Sequence, residues 1–208
     1  MSLYGQFFAA IYDRLTAGSE KAGLAAHRQQ LLEGVSGRVL EVGGGTGANL
    51  PYYANAVEDL VITEPEEPMA RRLERKLANS AVKATVVRAP AERLPFEDAS
   101  FDVVVSTLVL CTVEDPAQAL EEIRRVLRPG GKLLFLEHVR ADEESSFARW
   151  QDRLNGVQNR IGHGCHANRR TLENIRTAGF TIERIERDQL KKVPPIIRPL
   201  IVGSAQRA

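Results

Sequence analysis

The chain has 208 residues, with 28 Lys and Arg against 27 Asp and Glu and a formal net charge of +1. That balance, with the basic residues spread along the chain, excludes the electrostatic footprint of a nucleic-acid binder, and 43% hydrophobic content supports a full core rather than disorder. The two cysteines, Cys111 and Cys165, make no disulfide framework, so a reducing, cytoplasmic setting is the expectation. The opening Met1 to Leu15 lacks the basic start and small-residue cleavage site of a signal peptide, and no apolar run reaches the length of a membrane span, so no stable membrane insertion is expected.

In chain order, Tyr4 to Leu15 and Glu20 to Glu33 have helical periodicity, with Tyr4, Phe7, Phe8, Ile11, Tyr12 and Leu15 forming an apolar stripe. A first strand covers Arg38 to Val42 and a second Leu60 to Thr63, followed by a charged helix over Glu66 to Asn79. A third strand, Lys83 to Arg88, leads into a loop over Ala89 to Ser100. The β-branched, apolar fourth strand, Phe101 to Ser106, has the pattern of a strand covered on both faces. Asp115-Pro116 starts a helix that runs to Leu127, Pro129-Gly130-Gly131 is a turn, and the fifth strand is Lys132 to Glu137. Further on come an amphipathic helix (Phe147 to Ile161), a His/Gly/Cys loop (Gly162 to Asn168), a helix over Arg169 to Ala178 ended by Gly179, and strands over Phe180 to Asp188 and Arg198 to Ala205. The alternation of strand and helix implies right-handed βαβ units. The expected fold is an α/β, Rossmann-like three-layer sandwich with a seven-stranded, mostly parallel sheet whose last strand is antiparallel. It is read as one domain, 1–208, with N-terminal lid helices (1–36), a cofactor-binding core (37–140) and a substrate-side insert with the C-terminal strands (141–208).

The most informative segment is Val39 to Leu50, where Gly43, Gly45 and Gly47 follow a strand carrying Glu41. Glycines there bare the backbone to a large polar ligand, at the sheet edge where nucleotide-like cofactors bind. Glu64, about 20 residues on, sits where an acid accepts both hydroxyls of a ribose and would repel the 2′-phosphate of NADP. Loop and acid together do not separate NAD from S-adenosylmethionine, since both carry an adenosine. An NAD-linked oxidoreductase would need a catalytic tyrosine–lysine pair or its equivalent past the fourth strand, and the sequence has none. A protein that binds S-adenosylmethionine without transferring its methyl group is the other alternative.

Five segments in order decide between them. Val39 to Val139 closely resembles the type 11 domain of class I S-adenosylmethionine-dependent methyltransferases: Glu41 to Gly47, Glu64-Pro65 with Met69, Ala91 to Phe96, Ser100 to Val104, and Arg125 to Gly131. The Tyr12 to Leu15 opening is similar to the quinone-biosynthesis methyltransferases. Glu137-His138-Val139, Gly164-Cys165-His166 and Ala178-Gly179-Phe180 look more like phospholipid N-methyltransferases and small-thiol methyltransferases. The resemblance implies that Gly43, Gly45 and Gly47 admit the cofactor's methionine and ribose, that Glu41 contacts the methionine end, and that Glu64 holds the ribose. It further implies that Pro65 and Met69 flank the adenine, that Ala91 and Glu92 lie along its other edge, and that Ser106 and Thr107 offer backbone oxygens to the methionine ammonium. Where the family often has an aspartate for the adenine amino group, this chain has Pro90, which lacks even a backbone N–H.

Methyl transfer from a sulfonium expels a neutral leaving group, so alignment and exclusion of water matter more than acid catalysis. A base is needed only where the acceptor arrives protonated, and His138, after the fifth strand, is the candidate. His163, Cys165 and His166 do not complete a four-ligand set, so no metal is expected and their loop is read as closing the substrate pocket. Cys111 is read as an ordinary buried cysteine without reactivity. The family builds its acceptor pocket from the N-terminal helix and the Phe147 to Ile161 segment, which places Tyr12 against cofactor or acceptor and Trp150 near the pocket. The acceptor implied is a small molecule with an apolar portion.

Overall fold

A computed structural model describes residues 3–53, 57–142 and 145–208. Its seven strands are β1 (Gly37–Val42), β2 (Val57–Thr63), β3 (Thr85–Val87), β4 (Phe101–Thr107), β5 (Leu127–His138), β6 (Phe180–Gln189) and β7 (Pro199–Arg207). They form one sheet in the order β3-β2-β1-β4-β5-β7-β6. β1 to β5 pair parallel, and β7 runs antiparallel to both β5 and β6, as the sequence leads one to expect. Because β1 lies between β2 and β4, the connections leave it in opposite directions. The C-terminal ends of β1 and β4 therefore open a crevice, the place where ligands bind in such sheets.

Both faces of the sheet are covered, which is why its central strands are apolar almost throughout. On one face Leu40, Val42, Val104 and Phe135 pack with Leu120 and Ile123 of α4 (Pro116–Val126) and Ile175 of α6 (Thr171–Thr177). On the other, Val39, Ile62, Val105 and Leu136 pack with Leu31 and Leu32 of α2 (Ala25–Leu32) and Leu73 of α3 (Glu67–Ala78). Burying one such side chain contributes about 1.5–3 kcal/mol. Local chemistry fixes the helix starts: Asp115 caps α4 by accepting from the N–H groups of Ala117 and Gln118 at 2.9 and 3.1 Å, with Pro116 following it. Ser145 caps α5 (Ser146–Ile161) by accepting from the Ala148 N–H at 3.0 Å.

Three departures from the expected elements, and one stretch the sequence leaves unassigned, have local causes. The first helix, α1 (Leu3–Ser19), continues into α2 through a π-turn over Glu20–Leu24 with Gly23 at φ 137°, so the second predicted helix begins in that turn. No α-helix follows β1 among the described residues: the chain makes turns and a single 3₁₀ turn, Leu50–Tyr52, containing Pro51, which cannot donate to a helix. β3 is only three residues long and pairs with β2 alone. Pro129-Gly130-Gly131 is a bulge inside β5 rather than a turn ahead of it. Leu127 already pairs with Phe101, the register slips, and pairing resumes at Lys132 with Val103, Gly130 taking φ 76°.

Candidate active site

At the end of β1 the glycine loop is hung from β2 by the Gly44 N–H, which donates to the Thr63 carbonyl at 2.8 Å. The three alternate glycines do different work. A side chain on Gly43 would strike Val109 at 2.6 Å, whereas Gly45, at φ 56°, faces open space with nothing within 4 Å of a Cβ position. Gly45 is thus where the backbone stands bare. Glu64, at the end of β2, closes the same rim: its Oε2 accepts from the Gly45 N–H at 2.8 Å and its Oε1 from the Glu66 N–H at 2.9 Å. Burial pushes its carboxyl above the usual range, against those two hydrogen bonds.

Beneath the loop lies a buried polar network. Glu41 accepts from Tyr53 Oη at 2.6 Å and Asn49 Nδ2 at 3.0 Å. Arg28 of α2 donates to Asn49 Oδ1 at 2.8 Å and Thr107 Oγ1 at 3.1 Å, and pairs with Glu20 at 3.1 Å. Burial outweighs the Tyr53, Arg28 and Asn49 contacts and raises the Glu41 pKa to about 7. An acid held in this way gains from a cation placed beside it.

Helix α1 lies across this edge. Thr46 Oγ1 donates to Asp13 Oδ1 at 2.5 Å, and Lys76 of α3 pairs with Asp13 Oδ2 at 3.0 Å. A Cβ at Gly5 would lie 3.5 Å from Glu66 Oε2 and 3.9 Å from His163, and Phe8 stacks on the His163 ring with centroids 4.6 Å apart. The helix therefore bridges the start of α3 to the loop after α5. Burial raises the Tyr12 hydroxyl to about 12; Arg28 acts against that rise, while Cys111, Glu20 and Glu64 add to it.

Past the ends of β4 and β5, three residues from separate segments meet. His138, at the end of β5, points Nε2 at Cys165 Sγ, 2.9 Å away, and Cys111 lies within 4.8 Å of both. Glu137, fully buried, pins the loop carrying Cys111 by accepting from Ser106 Oγ at 2.8 Å and from the N–H groups of Val109, Leu110 and Cys111. Leu108, in that turn, takes φ 60°, unusual for a leucine. Burial works against protonation of His138, but Cys165 and Glu137 raise its pKa overall. The Cys111 thiol is pushed up by its hydrogen bond to Cys165 and by burial, and the Cys165 thiol down by Cys111 and His138.

Comparison with known proteins identifies the family. A methyltransferase domain model matches residues 40–135. A thiol S-methyltransferase of Rattus norvegicus is 34% identical over 95% of this chain and 82% of its own length. The chain belongs to the class I S-adenosylmethionine-dependent methyltransferases. A human thiol S-methyltransferase is 38% identical over 84% of this chain and 73% of its own, and a phosphatidylethanolamine N-methyltransferase of Cereibacter sphaeroides 33% over 70% and 74%. Among solved structures, a methyltransferase of Thermotoga maritima described as a possible histamine N-methyltransferase has a TM-score of 0.71 at 23% identity, covering 98% of this chain and 97% of its own. At that identity it shows the shared fold. The methyl donor is S-adenosylmethionine.

Within this methyltransferase the sequence-derived site residues take up distinct positions. Gly43, Gly45, Gly47, Glu41 and Glu64 gather at the crevice. Met69 and Ala91 are buried, and Pro65 is exposed. Glu92 Oε1 accepts from the Glu114 and Asp115 N–H groups at 2.8 and 3.4 Å, anchoring the loop before α4. The side chain of Thr107 is engaged by Arg28 and Asn49. Trp150 is 43% exposed and packs on Phe147 at 5.7 Å. His166 is held between Asn155 and Asn159, both at 3.0 Å, so of the three loop residues weighed as ligands only Cys165 reaches the His138 cluster. Sequence reasoning missed Arg28, Asn49 and Tyr53. Arg28 had a signal, since it interrupts the apolar stripe of Leu24, Leu31 and Leu32. A cleft of about 560 Å³ lined by Gly34, Asp102, Arg128 and Lys132 opens at the opposite, N-terminal edge of the strands, away from this chemistry.

Among the described residues, no helix is long and apolar enough to cross a membrane.

Proposed function

We propose that this enzyme methylates the sulfur of a small, partly apolar thiol. Its similarity to thiol S-methyltransferases carries that reading, because it extends over 95% of the chain and so takes in the segments flanking the cofactor core as well. S-adenosylmethionine supplies an electrophilic methyl group on a sulfonium that departs as a neutral thioether. Glu64 accepts the ribose hydroxyls beside the open backbone of Gly45, with Gly43 and Gly47 shaping the turn. Glu41, kept in place by Asn49, Tyr53 and Arg28, receives the methionine ammonium with the backbone of Thr107. Pro65 and Met69 flank the adenine on one side and Ala91 and Glu92 on the other. Tyr12, on the lid helix, separates this pocket from the acceptor side.

A thiol needs little further help. Its ordinary pKa of about 8.5 leaves a fraction ionised near neutrality, and the thiolate is the nucleophile. What the protein supplies is alignment and an apolar approach. Phe7 (61% exposed), Trp150 (43%), Val157 (57%) and Ile161 (68%) give α1 and α5 an unusually greasy outer surface, suited to delivering an amphipathic molecule.

The test is release of S-adenosylhomocysteine with acceptors sharing one apolar skeleton and differing only in a thiol, hydroxyl or amine. Turnover with the thiol at least tenfold above the others is expected. Methylation of the amine or hydroxyl with an inert thiol would overturn the acceptor class and leave the methyltransferase assignment standing.

A further inference from the structure

We propose that Cys111, His138 and Cys165 form a binding site for one zinc-like divalent ion, with two thiolates and an imidazole as ligands and a fourth position left open. The site is independent of which acceptor the enzyme methylates.

The spacing of the ligand atoms comes first. One ligand atom from each residue lies within 4.8 Å of the other two. A tetrahedral zinc with bonds of about 2.3 Å to sulfur and 2.0 Å to nitrogen has sulfur–sulfur edges near ~3.8 Å and sulfur–nitrogen edges near ~3.5 Å. To meet it, the Nε2–Cys165 Sγ separation of 2.9 Å lengthens and the wider separations, all within 4.8 Å, close. The ligand types match as well, since thiolate and imidazole together select zinc over magnesium or calcium.

The cluster is also built. Cys111 is 2% exposed and His138 3%, whereas Cys165 is half-buried and leaves a way in. Cys111 is positioned by the Glu137 carboxylate, and its carbonyl accepts from the His166 N–H at 2.8 Å, which ties the two sulfur-bearing loops together. His166 is itself fixed by Asn155 and Asn159. The three ligands thus come from a loop, a strand end and a second loop that are already mutually braced.

Two bland readings fit less well. A core histidine held by one hydrogen bond accounts for Nε2 against Cys165 Sγ but not for the second sulfur, that of Cys111, brought within 4.8 Å of both. A Cys111–Cys165 disulfide would use the sulfurs and leave the imidazole unexplained. Two thiolates and a divalent cation sum to a neutral cluster, which a buried position tolerates. On this assignment His138 is a ligand rather than a free base.

The test uses the full chain, reduced, stripped with a chelator and titrated with Co(II) under argon. One Co(II) per chain is expected, with sulfur-to-cobalt charge-transfer absorption and the intense visible bands of a tetrahedral site, discharged by one equivalent of Zn(II). Cys111→Ser and Cys165→Ser should each lower the charge-transfer intensity by about half. His138→Ala should weaken Co(II) binding at least tenfold. S-adenosylhomocysteine binding by each variant serves as the check that it has folded. No charge-transfer band in folded, fully reduced protein would overturn the site, as would a band that survives both serine variants. So would a resting protein whose two thiols are found only as a disulfide.

Discussion

The two sides of the crevice recognise by different chemistry. On the side of β1 and β2, the groups are hard and ionic: Glu41, Glu64 and Arg28, strung together by amide and hydroxyl hydrogen bonds. On the side of β4 and β5 they are soft: two thiols and an imidazole. The first side is the one we propose for the zwitterionic, hydroxyl-rich donor. The second is the side we propose for the acceptor, set apart from the carboxylates of the first. Fold alone does not choose that acceptor.

Breaking the ionic side should have the largest consequence. Arg28→Ala leaves Glu20 and the Asn49 and Thr107 oxygens without their guanidinium and removes a nearby positive charge from the buried Glu41, and loss of one partner from such a network costs about 3–5 kcal/mol. Urea unfolding of the ligand-free protein measures it. A loss under about 1 kcal/mol would mean the network is not holding α2 to the glycine loop.

Glu41 gives a pH signature of similar size. With a folded pKa of about 7 against an ordinary 4.5, the folded protein keeps a proton that the unfolded chain gives up. Stability should therefore fall as pH rises from about 4.5 through 7, by up to about 3 kcal/mol, and level off above. Glu41→Gln should flatten that slope. S-adenosylhomocysteine brings an ammonium, so its affinity for the wild type should rise through the same window, and that rise should vanish in Glu41→Gln.

Glu64→Ala addresses the donor pocket itself. Losing two charge-assisted hydrogen bonds to a ribose should weaken S-adenosylhomocysteine binding by about 1.5–3 kcal/mol, with little change in fold. Calorimetry reads it, and an unaltered affinity would place the ribose elsewhere. Smallest is Asp13→Ala, which frees α1 from Thr46 and Lys76. Its partly exposed ion pair is worth about 0.5–1 kcal/mol, so binding should weaken a few-fold and the difference should shrink in high salt.

The same contrast explains which features are legible in the amino-acid sequence by itself. The glycine run, Glu64 and the order of the strands are legible because each depends on neighbours in sequence: a strand, a tight turn, an acid at the next strand's end. The capping Asp115-Pro116 pair is legible for the same reason. The roles of the individual glycines are not, because only packing against Val109 separates Gly43 from the open Gly45. Arg28 lies between these cases, as a cation on an apolar stripe whose partners only the fold supplies. The sulfur cluster is hidden, since Cys111, His138 and Cys165 are distant in the chain and meet through β4, β5 and the turn after α5. The nearby histidines that the sequence offers as companions to Cys165 are turned elsewhere.

The most direct measurement is a crystal structure with S-adenosylhomocysteine bound. Its ribose hydroxyls should lie on Glu64, with the backbone of Gly45 against the ligand, the ammonium toward Glu41, and the sulfur directed past Tyr12 to the side bearing Cys111 and His138. A ligand whose ribose avoids Glu64, or whose sulfur points away from the end of β4, would contradict the division of the crevice into a donor side and an acceptor side.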